Sequence, residues 1–297
     1  MKVKNKWKLI TPGDKNLPFW LKNFAGSTSA RKLEDSSIFE IYITGRDEKN
    51  RSVIGRALWD AKDPGKLFNL ENKPVLSLGP LGSFFDSGTS YPYIITVGNE
   101  VRMYFTGWMR GDSVPFYNNI GMAVMKEDRS FEPRLSPIVS LDDKECFGSG
   151  SMQVIKNEDE FEMLYTSFTG WKIQNNKARH SYELKRRTSK DGIKWIEPSK
   201  ELKVNLNQNI NNVCKPYLHK KDLFFCARNT NEDYSIFYVL NYSSINLEPE
   251  HLNLNTDDAK WDSQGQAYPT LVNYNERNYI FYSGNHYGQG GMGVAEI

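Results

Sequence analysis

Five side chains at matching positions of a repeated motif are candidates for ligand contacts. They close the short runs FEIYITGR, RMYFTGW, EMLYTSF, LFFCAR and YIFYSGN, and they are Arg46, Trp108, Phe168, Arg228 and Asn285. Two of them are arginines, whose planar guanidinium group suits a carboxylate or a phosphate. Asp47 follows Arg46, and successive strand residues face opposite ways. We therefore expect Arg46 to face a ligand, and the structural alternative for Asp47 is an ion pair with Arg51 across the turn.

Two aspartates have the chemistry for acid–base or nucleophilic catalysis. Asp86 lies in GSFFDSG and Asp262 in KWDSQG, each shortly before an apolar run. Cleavage of a glycosidic bond by the usual route requires two carboxylates. The structural alternative for Asp86 is a turn residue that bonds its own backbone, and for Asp262 it is a loop cap.

The repeated motif indicates the elements that must position these residues. The small residue in each run is Thr44, Thr106, Thr166, Cys226 or Ser283, and the spacings are 62, 60, 60 and 57 residues. A period near 60 over the whole chain is typical of a repeat architecture. Tyr, Phe, Ile, Val and Thr dominate the runs, which is the composition of β-strands.

Each period divides into four predicted strands. An opening segment precedes the repeated strand at 90–98, 150–158, 214–222 and 267–275, and a third strand follows at 119–125, 182–189, 234–241 and 290–297. A fourth short element ends in proline at 131–133, 193–198 and 246–249. Five such antiparallel meanders predict an all-β, five-bladed β-propeller with four-stranded blades, forming one domain over residues 1–297. The first unit lacks an obvious opening segment, and residues 7–13 are expected to add a strand to the last sheet.

Composition excludes several classes of protein. The net charge is +2 with mixed signs, which gives no nucleic-acid signature, and no apolar run is long enough to span a membrane. The N-terminus lacks the apolar core of a signal peptide, so a cytoplasmic location is expected. Three scattered cysteines and four histidines show no metal spacing. We expect neither a metal nor a cofactor.

In a propeller the innermost strands surround a central funnel, so the opening segments should carry the site. Gln264 and Tyr268 mark this region in the fifth unit, and His286 lies in the following loop as a candidate proton donor. A funnel of aromatic, carboxylate and guanidinium groups suits a sugar, and two arginines there suit an anionic one. Trp108 and Trp171 are candidate stacking platforms, with packing between blades as the alternative.

Several segments resemble one known family. They are KPVLSLGPLGSFFDSGTSYPYII, YFTGWMRGDSVPFYNNIGMAV, SKDGIKW and WDSQGQAYPTLV with YIFYSGNHYGQGGMGVA. These segments resemble bacterial glycosidase-like five-bladed propeller proteins, which are similar to glycoside hydrolase families 43, 32 and 130. The resemblance covers about residues 39–297. It implies a sugar substrate in the metabolism of a surface polysaccharide.

The resemblance also implies roles for individual residues. It assigns catalysis to Asp86 and Asp262. It assigns substrate binding to Arg46, Asp47, Trp108, Trp171, Arg228 and Asn285. Gln264, Tyr268 and His286 are expected to bind substrate because of their place at the funnel.

Three departures from the family pattern put hydrolysis in doubt. The expected His-Ala-x-x-Pro is absent near residues 27–34, where the chain reads STSARKLE. The expected Ser-Ser-Pro is replaced by Ser149-Gly150-Ser151-Met152. Gln264 stands where a glutamate is expected, and an amide cannot act as a general acid or base.

Two main hypotheses remain open. The first is a glycoside-active enzyme, either a hydrolase or a phosphorylase or transferase on the same fold. The alternative is a non-catalytic carbohydrate-binding propeller that has lost catalytic residues. A third hypothesis, a protein-interaction propeller, requires an apolar patch on a rim and no acid pair in the channel.

Overall fold

A computed structural model describes residues 1–195, 200–202, 204–206, 212–228, 233–242, 248–255 and 260–297. Its regular structure consists of strands, with a 3-10 turn at Phe19–Leu21 and a four-residue helical turn at Asn285–Gly288. Within these residues no helix has the length and apolar character to cross a lipid bilayer.

The described strands form successive antiparallel meanders, which we call sheets I to V. In chain order the first strand is β1 (Asn5–Ile10). Sheet I contains β2 (Phe24–Lys32), β3 (Ile38–Arg46), β4 (Ser52–Asp60) and β5 (Asp63–Phe68). Sheet II contains β6 (Gly88–Val97), β7 (Glu100–Arg110), β8 (Phe116–Met125) and β9 (Phe131–Pro133). A parallel pairing of Ser52 with Gly88 joins these two meanders.

The remaining strands complete three further meanders. Sheet III contains β10 (Ser149–Lys156), β11 (Phe161–Gln174), β12 (Lys177–Ser189) and β13 (Lys200–Glu201). Sheet IV contains β14 (Asn212–His219), β15 (Asp222–Arg228), β16 (Ser235–Val239) and β17 (Glu250–His251). Sheet V contains β18 (Ala267–Tyr274), β19 (Arg277–Ser283) and β20 (Met292–Glu296), with β1 as its fourth strand.

The predicted strands of the repeat are confirmed in most places. β1 pairs antiparallel with β20, so the expected contribution of the N-terminal segment to the last sheet is confirmed. The predicted short element at 131–133 is β9. Residues 196–199 and 243–247, which include parts of the two other predicted short elements, lie outside the described residues. The fourth strands of sheets III and IV are β13 and β17, a few positions further along the chain.

The first unit has an opening strand, although its sequence shows no obvious opening segment. β2 (FAGSTSARK) fills that place and pairs with β3. Apart from Phe24 and Thr28, it lacks the β-branched and aromatic residues that favour strands. Packing requires small residues here, because a Cβ on Gly26 would lie 1.8 Å from Ser283 Oγ.

The repeated small residue has a structural reason. In each opening strand a bulge places one residue at positive φ, and these residues are Ser27, Tyr91, Ser151, Lys215 and Tyr268. The backbone N–H of each donates to the small side chain in the repeated strand of the preceding sheet. The acceptors, in the same order, are Ser283 (3.2 Å), Thr44 (3.1 Å), Thr106 (2.8 Å), Thr166 (3.1 Å) and Cys226 (2.9 Å). The first of these bonds joins sheet I to sheet V.

Apolar side chains pack between successive sheets, including the last and the first. Trp59 of β4 meets Tyr279 and Phe281 of β19 edge-on, with ring centroids 5.1 and 5.0 Å apart. Similar buried clusters lie between the other neighbouring sheets. This burial of aromatic surface holds the sheets around a common centre.

Candidate functional site

The five opening strands surround a cavity of about 320 Å³, which we call the central cavity. Each strand contributes a wall residue at or beside its bulge: Ser27, Tyr91, Ser151, Cys214 and Tyr268. The bulges turn these side chains out of the regular strand alternation. The repeat therefore positions the wall of the cavity directly.

Tyrosines form much of the wall. Tyr91 and Tyr268 meet edge-on with ring centroids 5.1 Å apart, and Tyr234 lies 5.7 Å from Tyr268. The hydroxyl of Tyr182 contacts that of Tyr234. Burial raises the pKa of Tyr91, Tyr182 and Tyr268 above the ordinary value, so these phenols are neutral near pH 7. They offer ring faces together with hydroxyl groups that donate and accept.

Arg228 extends from the end of β15 into this aromatic wall. Its guanidinium carbon lies 4.8 Å from the centroid of Tyr234, and its Nε donates to Tyr182 Oη at 3.2 Å. It also donates to Tyr287 Oη. Burial alone would lower the pKa of Arg228, but the Tyr182 and Tyr287 hydroxyls raise it overall. The side chain is therefore a fixed cation.

Two further arginines contribute positive charge to the wall. Arg46 lies at the end of β3 with its guanidinium carbon 5.2 Å from the ring centroid of Phe24. Arg179 reaches the cavity from β12. No aspartate or glutamate is found among the lining residues in the described ranges. The wall thus carries an excess of positive charge.

His180 is a neutral member of the wall. Its ring stacks on Phe168 with centroids 5.0 Å apart and an interplanar angle of 17°. Burial first, and then the nearby Arg228 and Arg179 charges, lower the pKa of His180 to about 4. At pH 7 it adds aromatic surface and no charge.

His286 and Asp233 form a polar pair at the cavity edge. Asp233 Oδ2 accepts a hydrogen bond from the His286 backbone N–H at 2.9 Å and lies 3.3 Å from its Nδ1. His286 and Tyr287 both have positive φ, at 52° and 65°. Such left-handed conformations are uncommon for residues with side chains. The Asp233 contact stabilises this conformation and places both side chains on the wall.

Asp86 lies outside the wall of the central cavity. Its Oδ2 accepts a hydrogen bond from the Gly82 N–H at 3.0 Å, and its Oδ1 accepts one from Ser87 Oγ at 2.8 Å. This is the turn arrangement that was weighed as the structural alternative. Through these contacts, Asp86 stabilises the loop in which it lies.

Asp262 also lies away from the wall, and it is fully buried. Its Oδ2 is 2.9 Å from Lys6 Nζ and 2.6 Å from Tyr282 Oη. A buried carboxylate requires this kind of pairing because desolvation of an isolated charge is costly. The structure therefore does not bring Asp86 and Asp262 together on the cavity wall, where the sequence placed them as a catalytic pair.

Two other expected binding residues have structural partners outside the central cavity. Asp47 binds Arg51, with Oδ2 2.7 Å from the nearer guanidinium nitrogen, and it also accepts the N–H of Lys49 and Arg51. Burial opposes ionisation of Asp47, but the Arg51 hydrogen bonds lower its pKa overall. Trp108 donates to Ser52 Oγ at 2.7 Å and so links sheets II and I.

Gln264 and Asn285 lie together in the loops beside sheet V. Asn285 Oδ1 accepts the N–H groups of Gln264 and Gly265, at 2.7 and 3.1 Å. Its Nδ2 donates to the Lys260 carbonyl at 2.8 Å. Asn285 thus joins two loops, and neither it nor Gln264 lines the central cavity.

The structure brings five of the expected site residues together on the cavity wall: Arg46, Phe168, Arg228, Tyr268 and His286. Trp171 lies beside the cavity on β11, where its ring is 5.3 Å from Phe116 and 5.0 Å from His180. Sequence reasoning did not identify several wall residues, among them Phe24, Arg179, His180, Tyr182, Tyr234 and Tyr287. The Asn-Asn pair at 175–176 was a usable sign of the hairpin that carries Arg179 and His180, because such pairs favour tight hairpin turns.

No arrangement of three or more His, Cys, Asp or Glu side chains suited to a metal ion occurs within the described ranges. The cavity wall offers guanidinium, phenol, hydroxyl, carboxamide, imidazole, thiol and aromatic groups for ligand contact.

Sequence comparison places the chain in a family. It is 30% identical over 288 residues to "Uncharacterized protein Rv1502" of Mycobacterium tuberculosis (strain ATCC 25618 / H37Rv), with 94% of each chain covered. "Uncharacterized protein MT1551" of strain CDC 1551 / Oshkosh is 29% identical with the same coverage. No family model matches the chain. The chain belongs to the same family as these mycobacterial proteins.

Solved structures share the fold. A glycosyl hydrolase from Bacteroides ovatus superposes with a TM-score of 0.69 at 14% identity, covering 99% of this chain and 94% of the other. A thermostable family-43 glycoside hydrolase gives a TM-score of 0.64 at 14% identity, with 95% and 91% covered. A structure from work on the GH130 family of mannoside phosphorylases gives 0.69 at 13% identity, with 99% and 94% covered. The chain has the glycosidase-like propeller fold suggested by its sequence motifs.

Proposed function

We propose that this protein binds a sugar carrying an anionic group in the central cavity of a five-bladed propeller with four-stranded blades. The observation that carries the proposal is the wall itself, where Arg46 and Arg228 lie among tyrosines and no described lining residue is acidic. An unbalanced positive wall favours a ligand that brings negative charge. A carboxylate or a phosphate on the sugar would meet this requirement.

The aromatic part of the wall supports a sugar as the carrier of that charge. Tyr91, Tyr234 and Tyr268 present rings and hydroxyl groups close together. A pyranose has an apolar face that packs on aromatic rings and hydroxyl groups that pair with phenols and guanidinium groups. The size of the cavity, about 320 Å³, lies within the range of small-molecule sites.

The blade assignment rests on the five equivalent bulge bonds. Each joins an opening strand to the preceding sheet, and the Ser27–Ser283 bond joins sheet I to sheet V. A closed cycle of five equivalent contacts is the arrangement expected for five blades around one axis. A single domain over residues 1–297 follows from that arrangement.

The fold supports a glycoside as the ligand by analogy only, because one fold hosts many functions. The mannoside phosphorylases and the family-43 glycoside hydrolase named above act on glycosides, and this chain shares their architecture. A role in surface-polysaccharide metabolism and a cytoplasmic location belong to the same proposal. The sequence motifs support the first of these.

Matched pairs of neutral and acidic sugars test the proposal. Glucose and glucuronate, galactose and galacturonate, and mannose and mannose 6-phosphate would be titrated by calorimetry at low and physiological salt. We expect the acidic partner to bind at least tenfold more tightly in at least one pair. Arg228→Gln and Arg46→Gln should each reduce that affinity by about 10- to 100-fold, the usual range for a lost charge-assisted hydrogen bond. Arg277→Gln, on an exposed arginine of β19, is the control.

Three results would count against the proposal. If the neutral and the acidic sugar of every pair bound equally well, the claim that the ligand carries an anionic group would be wrong. Equal losses in Arg228→Gln and Arg277→Gln would place the effect outside the cavity. If no sugar bound, the claim that the ligand is a sugar would be wrong, and the protein-interaction hypothesis would be favoured.

A second candidate function is glycoside cleavage or transfer, and the Asp233–His286 pair favours it. The Asp233 carboxylate contacts His286, which lines the cavity wall. The usual two-carboxylate route needs a partner acid, and the described wall supplies none. Turnover of aryl glycosides, with and without added phosphate, would be measured for the wild type, Asp233→Asn and Asp86→Asn. Loss in Asp233→Asn alone supports this candidate, and absence of turnover in the wild type supports binding without catalysis.

A further inference from the structure

A side groove lies next to the central cavity beside the β11–β12 hairpin. It has a volume of about 210 Å³, and Pro115, Phe116, Trp171, Ala178, His180 and Arg228 are among the residues that line it. Phe116, His180 and Arg228 line both the groove and the central cavity. The two spaces are therefore direct neighbours.

The length of one hairpin creates this groove. β11 has 14 residues and β12 has 13, whereas β15 and β19 have 7 each. Asn175 and Asn176 close the hairpin with φ of 50° and 54°, the left-handed pair typical of a tight two-residue turn. The extra residues place Trp171 opposite His180 in the register. The equivalent strands of the other sheets are too short to form this wall.

The groove wall is aromatic and, apart from its arginines, uncharged. Trp171 lies 5.3 Å from Phe116 and 5.0 Å from His180, measured between ring centroids. His180 is neutral at pH 7 because burial and neighbouring arginines lower its pKa to about 4. Arg228 stands at the junction with the central cavity. Such a surface suits the apolar face of a sugar ring joined to an anionic unit in the cavity.

We propose that the groove binds the second sugar unit of a glycan whose first, anionic unit occupies the central cavity, with Trp171 as the stacking residue. The inference rests on the proposed function. The occupant is a sugar of the same chain because the groove adjoins the cavity, with Phe116, His180 and Arg228 in the walls of both. The ligand class is accordingly an acidic disaccharide or longer glycoside.

The test compares chain lengths. The acidic monosaccharide that binds best would be titrated by calorimetry beside its disaccharide, for example galacturonate beside digalacturonate. We expect the disaccharide to bind about tenfold more tightly in the wild type, in line with the energy of one aromatic contact. Trp171→Ala should abolish this gain, so that the variant binds the disaccharide and the monosaccharide with about equal affinity. Trp171→Phe should retain most of the gain.

Ile173→Ala is the matched control, since Ile173 lies on the same hairpin with 74% of its surface exposed. It should retain the full gain. Equal affinity for monosaccharide and disaccharide in the wild type would overturn the groove inference and leave the proposed function intact. A loss in Ile173→Ala equal to that in Trp171→Ala would also overturn it, because the hairpin rather than the groove would be responsible. Failure of both sugars to bind would overturn the proposed function and the inference with it.

Discussion

Lys6 Nζ lies 2.9 Å from Asp262 Oδ2 in an ion pair removed from solvent, although 256 positions separate the two residues. Tyr282 Oη donates to the same carboxylate at 2.6 Å. Sheet III has a similar arrangement, in which Glu145 accepts hydrogen bonds from Tyr165 and Ser167. Acidic residues that precede the opening strands thus bond to the repeated strands in these two sheets.

The Lys6–Asp262 pair predicts a structural role for Asp262. Asp262→Asn should lower the free energy of unfolding by about 3–5 kcal/mol, because Lys6 would remain as an uncompensated buried charge. Lys6→Met combined with Asp262→Asn should recover part of the loss. Urea unfolding at pH 7 measures both effects. Unchanged stability with lost sugar affinity would instead place Asp262 in the ligand site.

Lys215 predicts an unusual alkaline dependence of stability. It is fully buried at positive φ, and its Nζ has no hydrogen-bond partner among the described residues. Burial lowers the pKa of Lys215 to about 8. The unfolded chain therefore binds more protons between about pH 8 and the ordinary lysine pKa of 10.5, and stability should rise with pH across that window.

Lys215→Met should remove this dependence. It should raise the free energy of unfolding at pH 7 by about 2–3 kcal/mol, since the desolvation penalty on the ammonium group disappears. Denaturant titrations from pH 7 to 9.5 compare the wild type with the variant, so that ionisation of the tyrosines and cysteines common to both cancels in the difference. Parallel pH profiles for the wild type and the variant would contradict the prediction.

His180 predicts a loss of stability in acid. Burial and nearby arginines lower its pKa to about 4, whereas an unfolded histidine titrates near 6.5. As the pH falls from 6.5 towards 4, the unfolded chain takes up the proton first, and the free energy of unfolding should decrease. His180→Phe should flatten this part of the profile. Thermal unfolding from pH 4 to 7 provides the comparison, and an unchanged slope in the variant would exclude His180 as its source.

The bulge bonds predict a graded response at the small residue of the repeat. Thr106→Val leaves the buried Ser151 N–H without its 2.8 Å acceptor and should cost about 1–3 kcal/mol. Thr106→Ser retains the hydroxyl and should cost less. Thr96→Val, on an exposed threonine of β6, is the control for the loss of a hydroxyl group. Chemical unfolding distinguishes the three variants, and equal effects of Thr106→Val and Thr96→Val would show that the bond contributes little.

The repeat predicted most of the fold because its signal is local. Four opening strands and all five repeated strands follow from composition and spacing, since strand formers recur at fixed distances. β2 escaped detection because its Ala, Gly and Ser residues are selected by close packing against Ser283, which the linear sequence does not display. The length of the β11–β12 hairpin was not predicted, because it depends on where the pairing between the two strands ends.

The site was predictable to the extent that it follows the repeat. Arg46, Phe168 and Arg228 end their repeated strands and reach the cavity wall, as does Tyr268 at a bulge. Trp108 and Asn285 occupy the same repeat position as Arg46 and do not line the cavity. Asp86 and Asp262 were predicted from their chemistry alone, and each has a structural partner. The Asp86 carboxylate accepts a hydrogen bond from a turn N–H, and the Asp262 carboxylate binds Lys6 and Tyr282. Whether a carboxylate is available to a ligand depends on these partners.

The sequence by itself determined the strand order, the period, and the ring of small side chains that accept the bulge N–H groups, because these depend on neighbours along the chain and on a recurring pattern. Only the tertiary structure decided which charges face the cavity and which are neutralised within the protein. Burial makes an unpaired charge costly, so each buried carboxylate finds a cation or a donor wherever the fold brings one close. The arginines of the cavity wall remain available to a ligand because no described carboxylate lies on that wall.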